Sequence, residues 1–247
     1  MRIIRIFTVS FAFFVYGFGA LVISFILYPL GFLFVKAENR KKYFVNIIHK
    51  SWDFFTKLMI ALRIMDVKIE NYDEFKKLRG KIIVANHHTL TDIVILIGAI
   101  PNSVSVVKGD FDTNIFVKNI VKNAYLSNSA DIDKFKASAA EFLKDGFNII
   151  IFPTGTRTLP GEKPKIHSGA AVLAIENNAD IIPIKIDINY PFLAKNTSIA
   201  NAAGDRPVRY NLKICDTIKP QDILSIEPDA IKARKLIADK VKQSCFD

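Results

Sequence analysis

Near its start the chain has thirty consecutive residues, Ile6 to Val35, that contain no charged side chain. Roughly 20 apolar residues in a helix cross the hydrocarbon core of a bilayer, so the run is long enough to be a membrane anchor. Pro29 and Gly31 stand near its far end, where they can break a helix, and the pattern fits either one tilted transmembrane span or a shallow re-entrant hairpin. A cleaved signal peptide fits less well, because its apolar region runs to about 7–15 residues before a small-residue cleavage site. Lys36, Arg40, Lys41 and Lys42 follow the run and outnumber Arg2 and Arg5 before it. Basic flanks stay on the cytoplasmic side, which predicts that the rest of the chain lies on the cytoplasmic face of the inner membrane.

Next, Phe44, Ile47, Ile48, Phe55, Leu58, Met59 and Leu62 recur at steps of three and four, with Lys50 and Lys57 between them. That spacing predicts an amphipathic helix, either packed on a protein core or lying in the membrane interface. After Gly80 the pattern changes to short apolar runs separated by helical segments. Ile82–Ala85, Val104–Val107, Asn148–Phe152 and Ile181–Ile186 read as strands, and Val208, Tyr210, Leu212 and Ile214 alternate as a half-buried strand does. Asp92–Ile100, Lys134–Lys144, Ser168–Glu176 and Asp229–Lys242 read as helices, the third opened by Ser168 as a capping residue. Strands and helices taking turns imply an α/β layered domain. The predicted organisation is a membrane anchor over 1–36, an amphipathic interfacial helix over 37–66 and one α/β domain over 67–247. Residues 191–204 are a polar loop without an assigned role.

Composition narrows the partners. A formal charge of +10 in a chain that is 50% hydrophobic points to an anionic membrane surface. The 20 phenylalanines lie in apolar runs and do not alternate with Lys and Arg, so nucleic-acid binding is not expected. Cys215 and Cys245 stand in no metal-ligand or redox spacing.

Two strand ends carry candidate chemistry. Lys81–Asp92 reads KIIVANHHTLTD, a buried strand that stops at Asn86 and releases two histidines into a turn before the next helix. On a continuous helix His87 and Asp92 would point about 140° apart, so they meet only if the chain turns between them. With Thr89 or Thr91 as cap, Asp92 falls in the first helical turn, where the dipole favours its carboxylate. A histidine held by a carboxylate can take a proton from a hydroxyl at neutral pH. His88, four residues before Asp92, competes for that role on spacing alone. Phe147–Arg157, FNIIIFPTGTR, is a second strand ending in a turn, where Gly155 lets backbone N–H groups approach an anion and Arg157 can clamp one. Lys108, at the end of a third strand, can add charge to the same rim, as can Lys163 and Lys165.

Together these segments resemble the glycerolipid acyltransferase family, which includes the 1-acylglycerol-3-phosphate acyltransferases. Asn86–Asp92 (NHHTLTD) is similar to its NHxxxxD motif and Phe152–Thr158 (FPTGTRT) to its FPEGTRS motif, in the expected order. Ile166–Ala170 (IHSGA) resembles its FKxGA segment and Ile182–Ile186 (IPIKI) its VPV strand. The resemblance implies a mixed central sheet flanked by helices behind an N-terminal membrane anchor. It implies that His87 deprotonates the acceptor hydroxyl, that Asp92 orients His87, and that Thr154, Gly155, Thr156 and Arg157 bind the acceptor, with Lys108 a looser match. The implied reaction passes an acyl group directly from acyl-CoA or acyl-ACP to a lysophospholipid, with 1-acyl-sn-glycerol 3-phosphate going to phosphatidic acid. No acyl-enzyme, cofactor or metal is required. Thr154 replaces the family's glutamate and His167 stands where lysine is frequent, which leaves open another lyso-lipid acceptor, such as a lyso-ornithine type, or an inactive lipid-binding protein. A metal-dependent hydrolase lacks a third ligand near the histidines.

Overall fold

Three runs of branched apolar residues, Ile82–Ala85 (β2), Asn148–Ile151 (β5) and Ile181–Ile188 (β6), fill the centre of a parallel block, with β2 between the other two. Ile82, Ile83, Val84, Ile149, Ile150, Ile181 and Ile184 are all fully buried, as expected when helices cover both faces of a sheet. The computed structural model describes residues 2–108, 120, 124–128, 131–159, 161–162, 164–190, 192–193, 204 and 206–246. Among them the strands form one seven-stranded sheet in the order β1-β7-β6-β2-β5-β3-β4, where β1 is Met65–Ile69, β3 Ser103–Lys108, β4 Leu126–Asn128 and β7 Val208–Ile214. All neighbours are parallel except β6 and β7. The sheet is therefore mixed.

On one face α5 (Asp92–Ala99) lies against β3 and is covered by α3 (Ala37–Ala61) and α4 (Tyr72–Lys77). On the other lie α6 (Ile132–Lys144), α7 (Gly169–Asn177), α8 (Pro220–Ile226) and α9 (Ala230–Phe246). β1, β4, α4 and α8 do not stand out in the hydropathy pattern. In β1 Asp66 and Lys68 alternate with apolar residues on an edge strand, and β1 also straddles the expected boundary at 66/67. Ser168 occupies the N-cap position of α7 but its side chain makes no capping bond.

The apolar N-terminus folds as α1 (Arg2–Val22), a five-residue π-helical turn and α2 (Tyr28–Phe34). Ile3–Phe34, with mean hydropathy 2.2, is long and apolar enough to cross a bilayer, and most of its surface faces outward. Its inner face runs antiparallel to α3 over nearly the whole length. Tyr28 packs on Phe44 with ring centroids 4.3 Å apart, Tyr16 stacks on Trp52 at 5.6 Å, and the Arg5 guanidinium donates to the carbonyl of Arg63 at 3.0 Å. α3 is joined just as closely to α5. A Cβ on Gly98 would come within 2.9 Å of the Asp53 backbone nitrogen, and a His49 ring nitrogen bonds the Ile97 carbonyl at 2.8 Å.

Candidate active site

Because β2 and β5 are parallel neighbours, their chain ends open on the same edge of the sheet. Asn86, the first residue beyond β2, continues the pairing through its side chain: its Oδ1 accepts from the Ile186 N–H at 2.7 Å and its Nδ2 donates to the Ile186 carbonyl at 2.8 Å. That anchors the histidine turn to β6. The chain then folds back over Asp92, a fully buried carboxylate. Its Oδ2 accepts from the backbone N–H groups of His88 at 2.6 Å and Thr89 at 2.8 Å, and from His87 Nδ1 at 2.9 Å; the Thr89 hydroxyl donates to Oδ1. Four donors converge on this one carboxylate and fix the turn.

The two histidines are distinguished by their bonds. His88 is buried, and its Nε2 lies 2.8 Å from the Asn86 amide nitrogen, which can only donate. Nε2 is therefore an acceptor, and Nδ1 carries the hydrogen that reaches the Thr158 carbonyl at 2.9 Å. With both ring nitrogens engaged, His88 is a structural link between the two motif turns. His87 has Nδ1 on Asp92 and stays partly exposed, its side chain 16% accessible against 0% for Asp92. That bond makes Nδ1 the donor and leaves Nε2 free of Asp92, so in the neutral ring Nε2 holds the lone pair.

The second turn is built onto the first. Phe152, just past β5, stacks on the His87 ring with centroids 4.0 Å apart and planes 13° apart, and the Thr158 N–H donates to the His87 carbonyl at 2.7 Å. Between them Gly155 has φ +65°, a left-handed conformation suited to glycine, and its Cα hydrogens face the His167 ring. Arg157 is half-buried and donates from Nη1 to the Leu193 carbonyl at 2.8 Å, with its other four N–H groups uncommitted among the described residues. Thr154 is buried, and its hydroxyl donates to the Thr156 carbonyl at 2.7 Å, so it braces the turn. Gly155 and Thr156 are exposed. His87, Asp92, Gly155, Thr156 and Arg157 thus come together on one rim. Lys108 ends β3, a neighbour of β5, but its side chain lies outside the described residues, as does Lys163; Lys165 is exposed.

A model of the acyltransferase family matches residues 66–187, from within β1 to within β6, and so takes in both turns. Residues 66–187 thus belong to the acyltransferase family. Over 156 residues it is 26% identical to a 1-acyl-sn-glycerol-3-phosphate acyltransferase of Cocos nucifera, an alignment that covers 60% of this chain and 49% of that one. The chain thus spans about half the length of that curated relative. Among solved structures it is similar to the 1-acyl-sn-glycerophosphate (LPA) acyltransferase PlsC of Thermotoga maritima, with TM-score 0.72 and 23% identity over 98% of this chain and 97% of that one. At that identity the likeness establishes the fold.

One residue of this acyltransferase domain escaped the sequence pattern as a site residue. The Tyr210 hydroxyl, on β7, lies 2.8 Å from Thr89 Oγ1 and 2.7 Å from Thr91 Oγ1. Thr91, expected as a side-chain cap, makes no capping bond and turns to Tyr210. Burial first, and the Asp92 charge second, push the Tyr210 hydroxyl above its ordinary pKa, so it remains a neutral donor. It supports Thr89, which supports Asp92. Tyr210→Phe is expected to lower kcat by up to about tenfold, since a neutral hydrogen bond contributes about 1 kcal/mol net. The acceptor KM should stay unchanged, and steady-state kinetics separates the two parameters.

Proposed function

We propose that this chain is a membrane-bound acyltransferase that moves a fatty acyl group from acyl-CoA or acyl-ACP to the free hydroxyl of 1-acyl-sn-glycerol 3-phosphate, giving phosphatidic acid. The observation that carries the proposal is the His87 Nδ1–Asp92 contact, on a turn tied to the 152–158 turn through the Phe152 ring and the Thr158 N–H. The activity for which the two similar proteins are named agrees with it. In this reading Nε2 takes the proton of the acceptor hydroxyl as its oxygen attacks the thioester carbonyl. The tetrahedral intermediate collapses, the C–S bond breaks, the ester remains, and the leaving thiolate takes the proton from His87. Asp92 stabilises the transient imidazolium. Arg157 binds the acceptor phosphate, Gly155 and Thr156 shape the turn around it, and Lys108 adds charge from β3. Direct transfer suits the thiols as well: burial pushes Cys245 up to about 12, far from a nucleophilic thiolate at neutral pH.

Arg157→Ala tests the acceptor assignment. Charge-assisted hydrogen bonds contribute about 1.5–3 kcal/mol, so the KM for a phosphorylated acceptor should rise by about 10- to 100-fold while the donor KM holds. The Thr154 hydroxyl is committed within its own turn, which favours a second reading in which the acceptor is another lyso-lipid, such as a lyso-ornithine type. A panel of acceptors given to purified protein with each donor distinguishes the two. An unchanged KM in Arg157→Ala supports the second.

α1 and α2 are read as lying in the membrane interface of one leaflet, with the catalytic domain on the cytoplasmic side of the inner membrane. Lys50, Asp53 and Lys57 on α3 lie along the middle of α1, and α3 is packed on α5, so a bilayer core cannot surround α1 without taking in those charges and the domain. Cysteines placed at both ends of the α1–α2 segment should react with a membrane-impermeant thiol reagent from the same side. Labelling of the two ends from opposite sides would establish a span.

A further inference from the structure

We infer that Leu193 is a positioning residue for Arg157, its left-handed backbone conformation aiming a carbonyl that fixes the guanidinium before the acceptor arrives. The inference rests on Arg157 being the acceptor-binding arginine. Leu193 has φ +49°, a region that leucine seldom enters and that persists only where the surroundings impose it. Those surroundings are visible. Phe192 is fully buried and Leu193 nearly so, which pins both side chains in the core. The Phe192 N–H donates to the Tyr190 carbonyl at 2.8 Å, and the Tyr190 hydroxyl donates to the Arg206 carbonyl at 2.8 Å. Arg5, from the first turn of α1, donates to the same Arg206 carbonyl at 2.9 Å. With Tyr190, Phe192 and Leu193 held in this way, the Leu193 carbonyl meets Arg157 Nη1 at 2.8 Å.

The partner's chemistry matters as much as its position. A carboxylate would cancel the guanidinium charge and compete with a phosphate for its N–H groups. A backbone carbonyl orients the side chain and leaves the full positive charge for an anion. Arginine has several freely rotating bonds, so fixing it in advance removes part of the entropic cost of clamping the acceptor. The benefit belongs to acceptor binding and should spare both the proton transfer at His87 and the thioester donor.

The test compares substitutions that make the left-handed conformation harder or easier. A β-branched residue enters it at a large cost, whereas asparagine is enriched there. Leu193→Val should raise the KM for the phosphorylated acceptor about tenfold with kcat and donor KM within about twofold, the split expected when only acceptor binding is lost. Leu193→Asn, which gives up more packing, should keep the acceptor KM close to wild type. Should Leu193→Val fail to fold, Phe192→Leu loosens the same segment more gently and should show the same split. In the Arg157→Ala background the Leu193→Val effect should vanish, because the two act in series. Equal acceptor KM values for the Val and Asn variants, or a parallel fall in kcat, would overturn the positioning role. An acceptor KM raised by Arg157→Ala but not by Leu193→Val removes only this inference, whereas an Arg157→Ala variant with unchanged acceptor KM removes the acceptor assignment and this inference together.

Discussion

Replacing His87 by alanine should lower kcat for acyl transfer by about 1,000-fold while the protein still folds and still binds membranes. General-base catalysis contributes about 100- to 10,000-fold, and the neighbouring His88 cannot take over the role, because both its nitrogens are bound to Asn86 and Thr158. The stability cost is small for a geometric reason. Removing the imidazole takes one of three hydrogen bonds from Asp92 Oδ2, and the N–H groups of His88 and Thr89 remain on that oxygen. His87 is also partly exposed and contributes one stacking contact, with Phe152. A loss of no more than about 1–2 kcal/mol follows. Single-turnover kinetics together with thermal unfolding checks both halves, and retained activity would remove the base assignment.

The sequence made parts of this site legible for reasons that differ from part to part. β2 and β5 stand out because a central parallel strand is apolar on both faces and ends abruptly in polar or turn-forming residues, here Asn86 and Pro153. The His87–Asp92 contact is legible as a requirement, since a separation of five closes only if the chain folds back. What the spacing does not reveal is how it folds back: Asp92 collects the N–H groups of the turn that precedes its own helix, so the carboxylate organises the loop as well as the imidazole. Spacing also leaves His87 and His88 equivalent, and only the Asn86 and Thr158 bonds separate them. Tyr210 stayed hidden because alternation along β7 tells which residues point inward and not which turn they meet, and its partner Thr89 is 121 residues away in sequence. β1 and β4 were missed for lack of signal, the first by charges at alternate positions and the second by being three residues long. Leu193 lies in a loop with no period at all. Its role depends on a backbone angle that leucine, as a residue type, argues against.

Asp92→Ala and Asp92→Asn are expected to have equally low activity and different stabilities. Alanine strands the N–H groups of His88 and Thr89, the Thr89 hydroxyl and His87 Nδ1 around an empty space in a fully buried position. Unsatisfied buried donors cost about 1–3 kcal/mol each, so a loss of about 3 kcal/mol or more is expected even after local relaxation. For a chain of this size that corresponds to a midpoint lower by about 6–12 °C. Asparagine can keep its oxygen at the Oδ2 position, where three donors converge, and turn its amide nitrogen toward Thr89, whose hydroxyl is able to accept instead. The turn then survives and the midpoint should fall by only a few degrees. Catalysis has no such substitute. Once His87 takes the acceptor proton it is a cation, and only a carboxylate offsets that charge in a position from which water is excluded, so kcat should fall by about 100- to 10,000-fold in either variant. An Asp92→Asn enzyme with near-normal kcat would show that the carboxylate shapes the loop and does not assist proton transfer. A drop confined to the alanine variant, following the loss of folded protein, would lead to the same conclusion.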